Sequence, residues 1–224
     1  MSGQLICLEG IDGSGKTTLS HLLSQEYLKR QQQAVFVDKK DLSFEGDLFA
    51  VEVMNNLKKC VWDYPPNLNL DLLGDNYWMH AISAWYSALY NLRIKPLLDT
   101  GVDVVVDGWV YKYICRFSLK SVVGAYNAEL AFANVPRPDK VVLFDIPPEV
   151  AASRKESFKA SESGKYDGEE GSRYDGFIRY QSKVSAVLRE ISVRENWVSI
   201  SSQYEKKEDC AKALFKIVSE PTRN

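Results

Sequence analysis

Residues 8–20 read LEGIDGSGKTTLS, and the apolar run from Leu5 to Leu8 leads straight into them. Gly10 through Thr17 satisfies the pattern GxxxxGK[ST], set between a strand-like run and a helical stripe of Leu19, Leu22, Leu23, Tyr27 and Leu28. That context turns the pattern into a phosphate-binding loop. Glycines let successive backbone N–H groups curl around a phosphate chain, and the following helix N-terminus adds partial positive charge. Gly10, Ile11, Asp12, Gly13, Ser14, Gly15, Lys16, Thr17 and Thr18 are therefore expected to hold a nucleoside triphosphate such as ATP. Lys16 is expected at the β and γ phosphates, and the Thr17 hydroxyl on Mg²⁺.

Outward from this loop, short Val- and Ile-rich runs recur at 5–9, 34–38, 102–107, 140–145 and 196–201. They do not alternate cleanly, as befits strands covered on both faces. Helical stripes lie between them, including 77–98, 180–191 and 208–218, and residues 39–75 read as a helix with loops. Strand–helix alternation predicts an α/β fold, a parallel sheet doubly wound with helices on both faces. One domain is expected over residues 1–224, with a polar, glycine-punctuated lid at about 154–176.

Ligands of such sheets sit outside the carboxyl ends of the strands. Glu9, Asp38, Asp107 and Asp145 stand there, and Asp107 is the choice for supporting the metal, with Asp145 its competitor. Composition narrows the partners. A formal net charge of −2 argues against a nucleic-acid binder, and no apolar stretch reaches membrane-span length. Four scattered cysteines without CxxC spacing fit a reduced, cytoplasmic protein better than a zinc site, and no basic-then-apolar leader is visible. His21 and His80 lack ligand-spaced partners and read as structural.

The stretch LEGIDGSGKTTLS closely resembles the opening of the thymidylate kinase family, FEGIDGSGKTT. Residues 95–109, KPLLDTGVDVVVDGW, look like its xPALxxGxxVIxDRY, and residues 137–154, RPDKVVLFDIPPEVAASR, like its xPDLTxxLDxxPExAxxR. The resemblance implies a P-loop kinase fold with a five-stranded parallel sheet. It also implies transfer of the ATP γ-phosphate to a nucleoside monophosphate, with dTMP or a related pyrimidine nucleotide as first guess. By the same resemblance Asp12 faces the acceptor sugar, and a lid arginine replaces a cation missing at Gly13, Arg154 first and Arg173 second.

Departures cluster on the acceptor side. KKDLSF at 39–44 stands where the family has REPGG, Asn76-Tyr77 where it has Asp-Arg, and Asp107-Gly108-Trp109 where it has Asp-Arg-Tyr or Asp-Arg-His. Three arginines suited to bidentate phosphate contact are thus absent. Lys39, Lys40, Lys112 and Arg116 are the cations able to compensate, and Tyr77 and Trp109 the aromatics placed nearest the acceptor. Two other readings stay open: a kinase of a nucleoside, modified nucleotide or small metabolite, and a nucleotide-dependent switch without transfer. A homodimer through the helix bearing Trp85 and Tyr86 is a further expectation.

Overall fold

The computed structural model describes residues 2–41, 46–65, 70–201 and 206–220. Strands β1 (Leu5–Gly10), β2 (Ala34–Val37), β3 (Asp103–Val106), β4 (Lys140–Phe144) and β5 (Val198–Ile200) form one sheet in the order β2-β3-β1-β4-β5. Every neighbouring pair is parallel, so all five carboxyl ends point to one edge. The fold class and the five strands match the expectation. β1 lies at the centre, which delivers the glycine loop to the middle of that edge.

Strand periodicity divides the core in two. Leu5 and Cys7 of β1, with Val104 and Val106 of β3, face the larger layer. Helices α2 (Leu48–Val61), α3 (Gly74–Leu89), α4 (Lys95–Asp99), α5 (Tyr111–Ser118), α6 (Gly124–Ala131), α7 (Pro148–Ser153) and α8 (Arg173–Arg194) contribute to it. Ile6, Leu8 and Val105 face the opposite way, onto α1 (Lys16–Lys29) and α9 (Lys207–Ser219). Large rings fill the thicker side. Tyr86 meets Trp109 edge-on with centroids 4.8 Å apart, and Trp62 meets Trp85 at 6.0 Å. Such pairs add specific geometry to a large apolar burial.

Two expectations change in detail. The stripe at 77–98 is not one helix: after α3 the ladder widens into a π turn, Tyr90–Ile94, before resuming as α4. Pro96, the second residue of α4, has no N–H to give the ladder, and the widened turn falls just before it. The segment 154–176 is not all loop, because Ser172 caps α8 by accepting from the Asp175 N–H and residues 173–176 are helical. Of KKDLSF, positions 42–44 lie outside the described residues.

Candidate functional site

A cavity of about 790 Å³ opens at the carboxyl edge, and the glycine loop forms one wall. The loop conformation needs its glycines. Gly13 has φ 81°, and a Cβ there would stand 2.8 Å from the Ala151 carbonyl oxygen of α7. That contact explains why position 13 carries no cationic side chain. Lys16 lies folded into the loop, its Nζ donating to the Gly10 and Ile11 carbonyls at 2.7 and 2.6 Å and to Ser14 Oγ at 3.1 Å. Burial pushes its ammonium below the usual lysine range, and Lys39 adds to this, against the pull of Asp12, Glu9 and Asp107.

Thr17 Oγ1 donates to Asp107 Oδ2 at 2.5 Å. The other carboxylate oxygen, Asp107 Oδ1, is buried without a hydrogen-bond partner. A buried acceptor without a donor is costly unless a ligand completes it. A hydroxyl and an unfilled carboxylate oxygen beside a phosphate loop are hard oxygen ligands of the kind Mg²⁺ takes, so the residues fit the ion. Asp145 drops out of this competition, because Arg189 Nε donates to its two oxygens at 2.8 and 2.9 Å. Asp38 accepts from the Lys40 N–H in the turn after β2.

Asp12 is the hub of a charged network on the cavity wall. One oxygen pairs with Lys112 Nζ, and the other accepts from Arg116 Nη2 at 2.8 Å and Gln181 Nε2 at 3.3 Å. Burial alone would raise its pKa, but Lys112, Arg116 and Lys16 hold the carboxyl far below the usual range. Burial pushes Lys112 down to about 7, helped by Arg116, Lys39 and Lys16 and opposed by Asp12. Lys39 points the other way: despite burial, Tyr113, Asp107 and Asp12 keep its pKa above the ordinary value. Its main chain is fixed by the indole of Trp85, which donates to the Lys39 carbonyl at 2.7 Å.

Sequence reasoning about substrate contacts divides on this geometry. Lys39 and Trp109 line the cavity, although Trp109 is only 1 % exposed and donates its indole N–H to the Pro136 carbonyl. Trp109 therefore forms wall rather than a stacking platform. Arg116 lies behind Asp12 and stacks over the Tyr180 ring at 5.7 Å. Tyr77 is not among the cavity-lining residues. It stands 39 % exposed with its ring against Trp78, whose indole is tied to the Leu70 carbonyl. Arg154, at the end of α7, reaches over the loop and donates to the Ser14 carbonyl at 3.2 Å, whereas Arg173 donates to the Phe158 carbonyl away from the cavity. Among the described residues, seven basic and three acidic side chains line the space, a balance suited to a polyanion.

Some site residues escaped the sequence reading. Gln181 accepts from the Asp12 N–H at 3.1 Å and donates to the Glu162 carbonyl of the lid at 2.8 Å, joining loop, lid and α8. A glutamine within the buried stripe of Phe177, Tyr180 and Val184 was the available signal. Lys207 and Cys210 of α9 also line the cavity, and no motif marks them.

Sheet order, loop and Thr17–Asp107 pair define a P-loop α/β protein of the kinase fold. No family model matches the chain. It is similar to a probable thymidylate kinase of Saccharolobus solfataricus, 25% identical over 203 residues, covering 90% of this chain and 85% of the relative. A thymidylate kinase of Plasmodium falciparum is 27% identical, covering 98% and 93%. The fold matches that of the thymidylate kinase from Candida albicans with a TM-score of 0.67 at 17% identity, covering 97% and 91%. Over most of its length the chain is thus similar to curated thymidylate kinases, at 25–27% identity.

Proposed function

We propose that the chain is a nucleotide kinase that transfers the γ-phosphate of ATP, with Mg²⁺, to a nucleoside monophosphate, with dTMP or a related pyrimidine nucleotide as acceptor. The observation that carries this reading is the single cavity with the glycine loop, Thr17 and Asp107 on one side and Asp12, Lys39 and Lys112 on the other. Curated relatives named thymidylate kinase, aligned over most of the chain, support the same reading.

Phosphoryl transfer asks for positioning and charge stabilisation more than for covalent chemistry. The loop amides and Thr18 bind the donor phosphates. Lys16 exchanges its loop carbonyls for the β and γ phosphates. Thr17 and Asp107 would hold Mg²⁺, which when bound would neutralise charge on the donor phosphates. Arg154, already seated on the Ser14 carbonyl, closes over the transferring group and excludes water. On the acceptor side, Lys39 and Lys112 take the phosphate, and Arg116 and Gln181 orient Asp12 toward the acceptor sugar.

We take residues 1–224 to be one domain that acts in the cytoplasm without a nucleic-acid partner and pairs as a homodimer, although Trp85 and Tyr86, both with no exposure, lie in the core and do not offer it an interface. Among the described residues no helix is long and apolar enough to cross a membrane. A second reading, a kinase of another phosphorylatable acceptor, is favoured by one observation: the cations lining the acceptor wall are lysines, and Tyr77 is not among the lining residues. An acceptor screen with ATP and Mg²⁺, following ADP release, separates the two. Stimulation by dTMP or another pyrimidine monophosphate is expected. Stimulation by unphosphorylated nucleosides alone would replace the first reading with the second.

A further inference from the structure

Glu9 is a carboxylate with no exposure at all, at the point where β1 enters the glycine loop. The β1–β3 ladder runs from Leu5↔Val104 to Cys7↔Val106 and stops there, while β1 continues against β4 as far as Gly10↔Phe144. Past Cys7 the two strands part, and Thr17 and Asp107 meet beyond this opening. The parting leaves the backbone N–H of Trp109, itself 1 % exposed, without a strand partner. Glu9 supplies one: its Oε1 accepts from the Trp109 N–H at 2.7 Å, and its Oε2 accepts from the Gly10 N–H at 3.4 Å. Gly108 has φ 91°, and a Cβ there would stand 3.8 Å from both Glu9 oxygens.

One side chain thus grips the first residue of the phosphate loop and the residue two beyond Asp107. Val106, one position before Asp107, is held by the ladder. The Asp107 backbone is therefore fixed on both sides, with one carboxylate oxygen on Thr17 and the other buried and open. We propose that Glu9 is a positioning residue that joins the ends of β1 and β3 and so sets the spacing of Thr17 and Asp107 for a divalent cation. The inference rests on the kinase reading for the identity of the site, but its evidence is the joint itself. Partners behind a metal ligand fix its orientation and with it the affinity of the site.

Glu9→Gln keeps an amide oxygen for the Trp109 N–H, whereas Glu9→Leu removes both acceptors. Gly108→Ala strains the same joint through the backbone, whose φ of 91° disfavours a side chain, while leaving Glu9 in place, and it decides the matter should Glu9→Leu fail to fold. Binding of Mn²⁺, as a probe for Mg²⁺, is measured by electron paramagnetic resonance with a non-hydrolysable ATP analogue present, alongside thermal unfolding. Glu9→Leu and Gly108→Ala are expected to weaken Mn²⁺ binding about tenfold, and Glu9→Gln to stay within about twofold of the unaltered protein. In turnover, the half-saturating Mg²⁺ concentration rises in the same order. Unaltered Mn²⁺ affinity in folded Glu9→Leu or in Gly108→Ala, whatever the loss of stability, would overturn the joint alone. Absence of nucleotide-dependent Mn²⁺ binding in the unaltered protein would overturn both the joint and the kinase reading.

Discussion

At the scale of single residues, charge decides the site. Lys112 carries the clearest consequence, because burial and its cationic neighbours bring it to about 7 in the ligand-free protein. Below that pH its ammonium is present before an acceptor phosphate arrives; above it, binding has to take up a proton. The acceptor KM is therefore expected to climb above pH 7, by up to about tenfold per pH unit, while the ATP KM stays flat. Lys112→Arg, charged throughout, flattens the profile, and an unchanged slope in that variant would separate Lys112 from the acceptor. Because the folded pKa lies below the unfolded one, this group also makes the free protein more stable as pH rises from about 7 toward 10. Thermal unfolding across that range checks the sign. Lys16→Ala, which removes the ammonium now held on the Gly10 and Ile11 carbonyls, should lower kcat by about 10²–10³-fold with Tm unchanged. Its place in the loop was legible from the loop pattern. The Asp12 network was not, since Lys112, Arg116 and Gln181 are scattered along the chain and only folding brings them to one carboxylate.

Among elements, the segment 154–172, proposed as a lid, is a packed strap rather than a bare loop. Lys120, just after α5, lies 2.9 Å from both Asp75 of α3 and Asp167 of the lid, and Glu169 is held by Arg179 and Lys183 of α8. Lys120→Ala should release the acceptor side of the lid at a cost of about 1 kcal/mol in stability. Faster amide exchange across residues 159–172 with unchanged exchange in β1 is the expected signature. Uniform exchange across the whole chain would mean that Lys120 fastens nothing in particular. Polar composition and glycines set this segment apart in sequence, but its pins depend on charges from α3, α8 and the residues after α5, which no local pattern announces. The π turn at Tyr90–Ile94 was hidden for a similar reason: an apolar stripe does not reveal a local widening of the helical ladder.

For the whole molecule, the sheet was the most readable feature, since each Val-rich run became a strand in the order that puts β1 at the centre. Its two-sided burial made that pattern strong. Leu23 of α1, with no exposure, lies in the thinner layer under α9. Leu23→Ala should cost about 2–5 kcal/mol and lower Tm by about 2–4 °C for each kcal/mol. A smaller loss would show that this layer relaxes around the vacancy. The central claim is that one cavity passes a phosphoryl group from ATP to a nucleoside monophosphate. ³¹P NMR of the products from ATP, Mg²⁺ and dTMP tests it most directly. A new diphosphate doublet matching dTDP, growing in step with ADP and missing with Lys16→Ala, is the predicted result. Release of inorganic phosphate with dTMP unconsumed would contradict it.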